Sequence, residues 1–285
     1  GLSHNTVFCS MQDRKGFMWF GTDDGLNRFD GYTFKTYRYN SWVESSLPGD
    51  RIISLYEGGD GKIWICTNQG TCYYDYKTDS FYPLLFPDGK NRIENFSSVL
   101  EDKENNLWCI EYNRIVKYSP ENNTVQIYPA EKYFHPNGMI LSDEGFPIFF
   151  DNNTIYTYKN ETDSFDNIPI LSKEEEEQEI HISVIFQIPE IGVLFGTDKT
   201  GLKIYHYKNR QIETIIPGIQ VRAITAFNKS TYWIASESGV YIYNIIDKQI
   251  RHLQKSLTNE YTIADNAVYT LTKDHEGGMW VGTFF

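Results

Sequence analysis

A tryptophan-centred motif recurs along this chain, and the repetition constrains the fold more than any other feature. The segment DRKGFMWFGTDDGLNRFD at residues 13–30 predicts a β-hairpin, with a strand around Trp19 and a turn at residues 23–25. Related segments follow at intervals of 39 to 47 residues, centred on the anchor residues Trp19, Trp64, Trp108, Ile148, Leu194, Trp233 and Trp280. Because one hairpin cannot bury both of its faces, the repetition predicts successive sheets that cover one another.

Each repeat of about 44 residues has the length of a four-stranded propeller blade. The strands are expected at 6–12, 17–22, 26–30 and 33–38 in the first repeat, and at 51–57, 62–67, 71–75 and 80–84 in the second. The predicted fold class is all-β, a seven-bladed β-propeller that forms a single domain over residues 1–285. The blades are expected at about 1–40, 41–86, 87–130, 131–170, 171–216, 217–255 and 256–285.

The last repeat contains only two expected strands, at 267–273 and 279–284. The seventh blade is therefore expected to be incomplete, as in a fragment cut from a longer protein. Its edge would be open or covered by a partner, since an exposed strand edge invites pairing with another chain.

The repeated positions also predict local structure. The tryptophan anchors are expected to be buried between blades. Gly21 suits close packing of backbones, and Gly25 suits a positive φ in the turn. Thr22, at the end of a strand, is expected to hydrogen-bond the backbone of that turn.

Charge and hydropathy disfavour two classes of partner for this segment. The formal net charge is −12, which disfavours a nucleic-acid interface because phosphate contacts need a basic patch. The sequence contains no apolar run of the roughly 18 residues that a membrane span requires. Neither nucleic acid nor membrane is therefore an expected partner.

Cysteine and histidine give no sign of a metal or cofactor. Cys9, Cys66, Cys72 and Cys109 lack metal-ligand spacing, and the six histidines are scattered. The cysteines are expected to be isolated thiols within strands. A Cys66–Cys72 disulfide is the alternative, and it would indicate an oxidising compartment.

No nucleophile, metalloprotease or nucleotide-binding motif occurs, so no catalytic residue is assigned. Carboxylates are abundant, but the sequence singles out no pair of them for glycoside hydrolysis. The acidic run Glu174–Glu177 lies between two repeats and is expected to be a solvated loop.

A ligand site is expected where the loops that join strands two and three meet the loops that join successive blades, because propellers present these loops together on one face. Aromatic residues beside Asn and Arg suit an oligosaccharide or another small ligand there. The candidate ligand-binding residues are Trp42, Arg51, Tyr112, Asn113, Arg114, His135, Asn153, Arg222 and Tyr261.

The repeat D-x-x-G-x-[LIM]-W-[IVF]-G-T-x-x-G-L-x-x-[FY] closely resembles the two-component regulator propeller repeat. Matching positions in the first two repeats are Asp13, Gly16, Trp19, Gly21, Thr22, Gly25, Leu26 and Phe29, then Asp60, Gly61, Trp64, Thr67 and Gly70. Later matches are Gly196, Thr197, Gly201, Leu202, Trp280, Gly282 and Thr283. Repeats three, four and six depart from the pattern: Trp108 is followed by Cys-Ile-Glu, and Ile148 replaces the tryptophan.

The resemblance implies the periplasmic sensor of a Bacteroidetes hybrid two-component system, an inner-membrane histidine kinase that detects glycan fragments and regulates polysaccharide-utilisation genes. It implies a second propeller and a β-sandwich as the following domains of the same chain, and a homodimer in the full-length protein. This segment itself is not expected to be an enzyme. A propeller glycoside hydrolase or lyase, and a non-catalytic interaction or dimerisation scaffold, are the alternatives.

Overall fold

The computed structural model describes residues 1–85, 95–112, 114–130, 132–256, 258 and 262–284. These residues form two compact units. The first unit comprises Gly1–Pro136 and Asp274–Glu276, and the second comprises Asn137–Lys273 and Gly277–Phe285.

The first unit contains three four-stranded antiparallel sheets, each with its strands in sequence order. The first sheet is β1 (Val7–Gln12), β2 (Met18–Thr22), β3 (Gly25–Phe29) and β4 (Phe34–Tyr37). The second is β5 (Ile52–Glu57), β6 (Ile63–Thr67), β7 (Gly70–Asp75) and β8 (Ser80–Pro83). The third is β9 (Ser98–Glu101), β10 (Leu107–Glu111), β11 (Arg114–Ser119) and β12 (Thr124–Pro129).

The second unit continues the same pattern with three further four-stranded sheets. The fourth sheet is β13 (Gly138–Leu141), β14 (Pro147–Phe150), β15 (Thr154–Lys159) and β16 (Ser164–Pro169). The fifth is β17 (Ile182–Ile188), β18 (Gly192–Thr197), β19 (Gly201–His206) and β20 (Ile212–Pro217). The sixth is β21 (Val221–Ala226), β22 (Thr231–Ser236), β23 (Gly239–Asn244) and β24 (Ile250–Leu253).

A seventh sheet of two strands, β25 (Val268–Lys273) and β26 (Met279–Thr283), completes the described strands. The strands expected in the first two repeats all occur, with ends within one residue of those predicted. The all-β prediction is therefore confirmed as six four-stranded blades and a partial seventh.

Apolar clusters between neighbouring sheets hold each unit together. In the first unit, Trp19 packs with Ile52 and Ile65 of the second sheet, and Trp64 packs with Val99 and Leu107 of the third. The second unit has equivalent clusters between its successive sheets. The second strands are buried on both faces because a sheet lies on either side, which explains their continuous apolar sequences.

The small residues of the motif have the expected roles. A Cβ added at Gly21 would lie 2.7 Å from the side chain of Ile52, so the next sheet approaches closely only because that position is glycine. Gly25 has a φ of +106°. The hydroxyl of Thr22 donates to the Gly25 carbonyl at 2.8 Å and accepts the Asp24 N–H at 3.1 Å.

The prediction that all five tryptophan anchors are buried is only partly right. Trp19, Trp64 and Trp108 are buried, but Trp233 and Trp280 are only partly buried. The ring of Trp19 lies 5.1 Å from that of Tyr74, on the third strand of the next sheet. Trp233 packs towards the seventh sheet, whose two described strands include no such third strand.

The acidic run was predicted to be a solvated loop, but it forms a one-turn helix, α1 (Lys173–Glu177). Ser172 caps its first turn and Glu175 completes a capping box. Glu175 also forms an ion pair with Lys203, and both side chains are largely shielded from solvent. The run is therefore anchored to the fifth sheet by one specific carboxylate.

The cysteines are thiols within strands, and a Cys66–Cys72 disulfide is ruled out. Cys66 pairs across the hairpin with Thr71, and Cys72 pairs with Ile65, so the two thiols lie on opposite faces of the sheet. They contribute to different apolar clusters. Burial raises the pKa of Cys66 to about 11.

Candidate functional site

The loops predicted to share one face do so within each unit. The backbone N–H of Asn68, in a turn between strands two and three, donates to the carbonyl of Arg51, in the loop between two sheets, at 3.0 Å. The backbone N–H of Asp198 donates in the same way to the carbonyl of His181 at 3.0 Å. We call this surface, formed by the turns between strands two and three and the loops between sheets, the loop face.

A β-bulge recurs at the start of the innermost strand, where that strand leaves the loop face. The pairing register shifts after the first residue of β1, β5, β17, β21 and β25. The bulge residues are Phe8, Ile53, Ser183, Arg222 and Tyr269, and each keeps part of its surface exposed. Because a bulge re-aims the side chain it carries, the repetition presents a set of variable side chains at equivalent positions.

Arg51 lies beside one of these bulge residues. Its guanidinium carbon lies 5.2 Å from the centre of the Phe8 ring. Its Nε lies 3.5 Å from a carboxylate oxygen of Asp23, in the turn between strands two and three of the first sheet. This candidate is therefore an exposed arginine on the loop face with an aromatic support and a counter-ion.

Arg222 has a similar aromatic support in the second unit. Its guanidinium carbon lies 4.3 Å from the centre of the Tyr269 ring. Its Nη2 donates to Gln220 at 3.4 Å, whereas its Nη1 is buried and has no hydrogen-bond partner among the residues that the structure describes. Arg222 is thus the predicted site residue with unused hydrogen-bonding capacity.

Tyr112 and His135 are brought together on the loop face of the third sheet. Their ring centres are 6.3 Å apart, and the side chain of Tyr112 is 90% exposed. Arg114 lies beside them, but its guanidinium binds the carboxylate of Glu111. An exposed aromatic pair beside a neutralised arginine suits a stacking platform better than an anion site.

Two further candidates, Trp42 and Asn153, contact other parts of the fold. Trp42 is 91% exposed, but its loop lies against the outermost strand of the second sheet, where the Phe81 N–H donates to the Ser45 carbonyl at 2.9 Å. Trp42 therefore lies near the outermost strand of the sheet, whereas Arg51 lies beside the innermost strand. The side-chain amide of Asn153 donates to Glu176 at 3.0 Å, which commits it to holding the helix. The remaining candidates, Asn113 and Tyr261, lie outside the described residues.

Sequence reasoning missed a contact on the opposite face, which carries the turns between strands one and two. Near the end of the innermost strand, a Glu or Gln side chain accepts the backbone N–H of a turn residue from another sheet; we call this bond the turn clasp. Four such bonds occur among the described residues: Arg14 to Glu57 at 2.9 Å, Gly59 to Glu101 at 3.0 Å, Asp143 to Gln187 at 2.8 Å and His275 to Gln12 at 2.6 Å. The donor always lies five residues before an anchor, and the Glu or Gln acceptor always lies seven residues before one, which is the signal that the sequence carries.

The clasp cannot form between the fifth and sixth sheets. Pro189 occupies the donor position and lacks an N–H, and Ala226 occupies the acceptor position and lacks a polar side chain. A cavity of about 840 Å³ lies here, lined by both residues and by Phe186, Ile188 and Tyr232. Its size lies in the range of small-molecule sites, but its polar rim carries side chains of both charges, Glu190 and Lys229 among them.

Neither a metal site nor a membrane-spanning helix is found in the part of the chain that the structure describes. No group of three or more His, Cys, Asp and Glu side chains could hold an ion there. None of the helices there is long and apolar enough to cross a bilayer.

Comparison with known proteins finds similarity to a known family at three of the repeats. The family model of the two component regulator propeller matches residues 1–24, 46–69 and 262–285. A histidine kinase P4 of Formosa agariphila is 51% identical over 47 residues, which are 16% of this chain and 3% of that kinase.

Two solved structures share the fold over the whole chain. One is described as the extracellular domain of a hybrid two component system, BT3049, from B. thetaiotaomicron: it has a TM-score of 0.83 and 22% identity, and the match covers 100% of this chain and 39% of that one. The other, a streptogramin B lyase, has a TM-score of 0.75 and 18% identity, covering 100% of this chain and 92% of the lyase. These similarities establish the propeller fold, which sensors and enzymes share. The matches span only 3% of the kinase and 39% of the extracellular domain.

Proposed function

This chain carries two-component regulator propeller repeats, and from that premise we propose that it is the extracytoplasmic ligand-sensing propeller of a hybrid two-component sensor kinase. Its ligand is a glycan fragment, and the response is expression of polysaccharide-utilisation genes. The protein is a histidine kinase of the inner membrane, and this segment lies in the periplasm. Kinase and DNA-binding activities reside in other segments, so this segment alone neither phosphorylates nor binds DNA.

The repeated bulge on the loop face is the observation that carries a binding role. A scaffold needs strands that pack, but it does not need the same re-aimed position in sheet after sheet with Phe, Ile, Ser, Arg and Tyr in turn. A backbone geometry that recurs in each sheet, with a different side chain at each occurrence, lets a rigid fold present different ligand contacts. Sugars, which combine an apolar face with many hydroxyls, fit a surface of exposed aromatic and polar residues.

Calorimetry against neutral and acidic oligosaccharides, with product analysis of the same mixtures, tests this function. Binding without turnover is the expected result. Tyr112→Ala is expected to weaken binding because it removes half of the Tyr112–His135 platform. Tyr32→Ala is the matched control, since Tyr32 is equally exposed at 92% but lies in the turn between strands three and four, away from the loop face. Absence of binding to the whole panel would contradict the proposal.

A propeller lyase is the second candidate, favoured by the streptogramin B lyase, which the chain matches over 92% of that enzyme's length. Turnover of an oligosaccharide in the same mixtures would support a glycoside hydrolase or lyase over a sensor. A scaffold used only for protein interaction or dimerisation would give neither binding nor turnover.

Signal transfer would proceed by rigid-body movement rather than refolding, because packed sheets resist deformation. In the full-length homodimer, the ligand would favour one packing of this propeller against the following propeller and β-sandwich domains. The ligand must bind that arrangement more tightly than the alternative one, because a ligand with equal affinity for both does not shift the equilibrium between them. Scattering profiles and oligomeric state of the longer protein, with and without ligand, test this. Bound ligand that leaves both unchanged would contradict it.

A further inference from the structure

Arg222 is presented at the loop face by a bulge and oriented by an aromatic ring. It is the second residue of β21, at the position where the register with β22 shifts. Its guanidinium lies over the ring of Tyr269, the bulge residue of the next sheet, at 4.3 Å from the ring centre. Such stacking leaves the edges of the guanidinium available to a ligand while restricting its orientation.

The charge of Arg222 is not neutralised by the residues around it. No carboxylate of the described residues forms an ion pair with it, its Nη1 is buried without a partner, and its one hydrogen bond, to Gln220, is long at 3.4 Å. The nearby Glu237 is engaged elsewhere, since its carboxylate accepts the backbone N–H of Gln220 at 2.8 Å. A partly buried cation without an anion is costly, and binding an anion would remove that cost.

Arg51 provides an internal comparison. It too lies over an aromatic bulge residue, Phe8, but the carboxylate of Asp23 is 3.5 Å away. The chain contains 38 acidic and 26 basic residues, so acidic side chains are plentiful. The local difference is therefore that Arg51 has a counter-ion from its own chain, whereas none of the described carboxylates pairs with Arg222.

We propose that Arg222 binds an oxyanion of the sensed ligand, a carboxylate or sulfate group carried by a sugar. The planar guanidinium offers paired N–H donors that match two oxygens of such a group, with Tyr269 holding the plane in place. This inference rests on the proposed sensing function and adds its ligand class: an acidic rather than a neutral glycan.

Isothermal titration at constant ionic strength tests the inference with three matched ligands: a uronate-containing oligosaccharide, a sulfated oligosaccharide and a neutral one. Sodium sulfate is titrated separately, followed by the NMR signals of the arginine side chains. Acidic oligosaccharides are expected to bind. Arg222→Gln is expected to lower their affinity by about 10- to 100-fold, which corresponds to the loss of one charged hydrogen-bonded pair. Arg251→Gln is the control and should leave the affinity unchanged, since Arg251 is exposed on the outermost strand β24, away from the loop face. Whichever acidic sugar responds to Arg222→Gln identifies the oxyanion.

The possible failures are distinguishable. If acidic and neutral sugars bind equally, and Arg222→Gln changes neither, the inference is wrong while the sensing function stands. If no sugar binds but sulfate perturbs the Arg222 signal and not that of Arg51, the sensing function fails and the anion site remains. If neither the binding of sugars nor the binding of sulfate depends on Arg222, the inference is overturned. Thermal melting of both variants verifies that the fold is retained.

Discussion

The carboxylate of Asp13 accepts the indole N–H of Trp19 at 2.5 Å, and both side chains are fully buried. The same carboxylate accepts the backbone N–H groups of Lys15 and Phe17 and the hydroxyl of Tyr76 from the next sheet. Asp102 and Trp108 repeat the arrangement in the third sheet at 2.7 Å. A buried carboxylate thus holds a turn and an anchor together, and in the first sheet it also holds the neighbouring sheet through Tyr76.

We expect Asp13→Asn to lower the free energy of unfolding by about 2–4 kcal/mol. An amide has one acceptor oxygen, so its NH₂ group would face donors and leave at least one buried N–H or O–H unpaired, at about 1–3 kcal/mol each. Urea unfolding measures the change. Asp60→Asn is the control, because Asp60 is exposed and binds Lys62 rather than an anchor. Equal effects of the two variants would contradict a special role for Asp13.

The unequal burial of the anchors predicts unequal stability losses. Trp64→Ala should cost about 3–5 kcal/mol, since Trp64 is only 7% exposed and large aromatic truncations in cores have this effect. Trp280→Ala should cost clearly less, because Trp280 is only partly buried. Urea unfolding of both variants provides the measurement. Loss of ligand binding by Trp64→Ala with unchanged stability would instead assign Trp64 to the site.

The sequence predicted strands and turns well because the determinants are local. Apolar runs around Trp19 and Trp64, and the glycine at position 25, follow from steric rules that apply within a few residues. The predicted burial of Trp233 was wrong because the burial of this side chain depends on a strand of another sheet. The ion pair that anchors the helix at Glu175 was missed because its partner, Lys203, is 28 residues away, whereas the capping box of Ser172 and Glu175 is a local signal that predicts the helix itself.

The candidate site was predicted only as a surface. The sequence placed Arg51, Tyr112, His135 and Arg222 on the loop face, but it could not show which of them find counter-ions. Asp23 neutralises Arg51, whereas nothing described neutralises Arg222. Tyr269 was missed because its role depends on a bulge, which leaves no clear signal in a single sequence.

A pH-dependent contribution to stability is expected from Asp79. Burial alone would raise its pKa, but hydrogen bonds from Lys35, Tyr74 and Tyr37 lower it to about 2. The folded state therefore favours the charged form, so the stabilisation is present above about pH 4 and is lost as the pH falls towards 2.

Asp79→Asn tests this contribution. The variant should melt at a lower temperature than the wild type near neutral pH, and the difference should shrink as the pH falls from about 4 to about 2. Melting curves across this range provide the measurement. The effect should be modest because Asp79 is partly exposed and solvent screens its ion pairs. A difference that does not vary with pH would contradict the assignment.

The missing turn clasp between the fifth and sixth sheets can be built by substitution. Pro189→Ala supplies the N–H and Ala226→Gln supplies the acceptor, as Asp143 and Gln187 do one sheet earlier at 2.8 Å. Pro189→Ala alone should destabilise by about 0.4–1 kcal/mol, because proline restricts the unfolded chain.

Together the two substitutions should show a favourable coupling of about 0.5–1.5 kcal/mol, the net value of one hydrogen bond. A double-mutant cycle by urea unfolding isolates this energy from the effect of each single change. Gln187→Ala is the reverse control and should lose at least as much, since it removes an existing clasp and also the hydrogen bond from Gln187 to the Tyr207 hydroxyl at 3.1 Å. Zero coupling at Pro189 and Ala226, with a normal loss at Gln187, would show that the open seam is set by the packing of Phe186 and Tyr232 and not by the absent hydrogen bond.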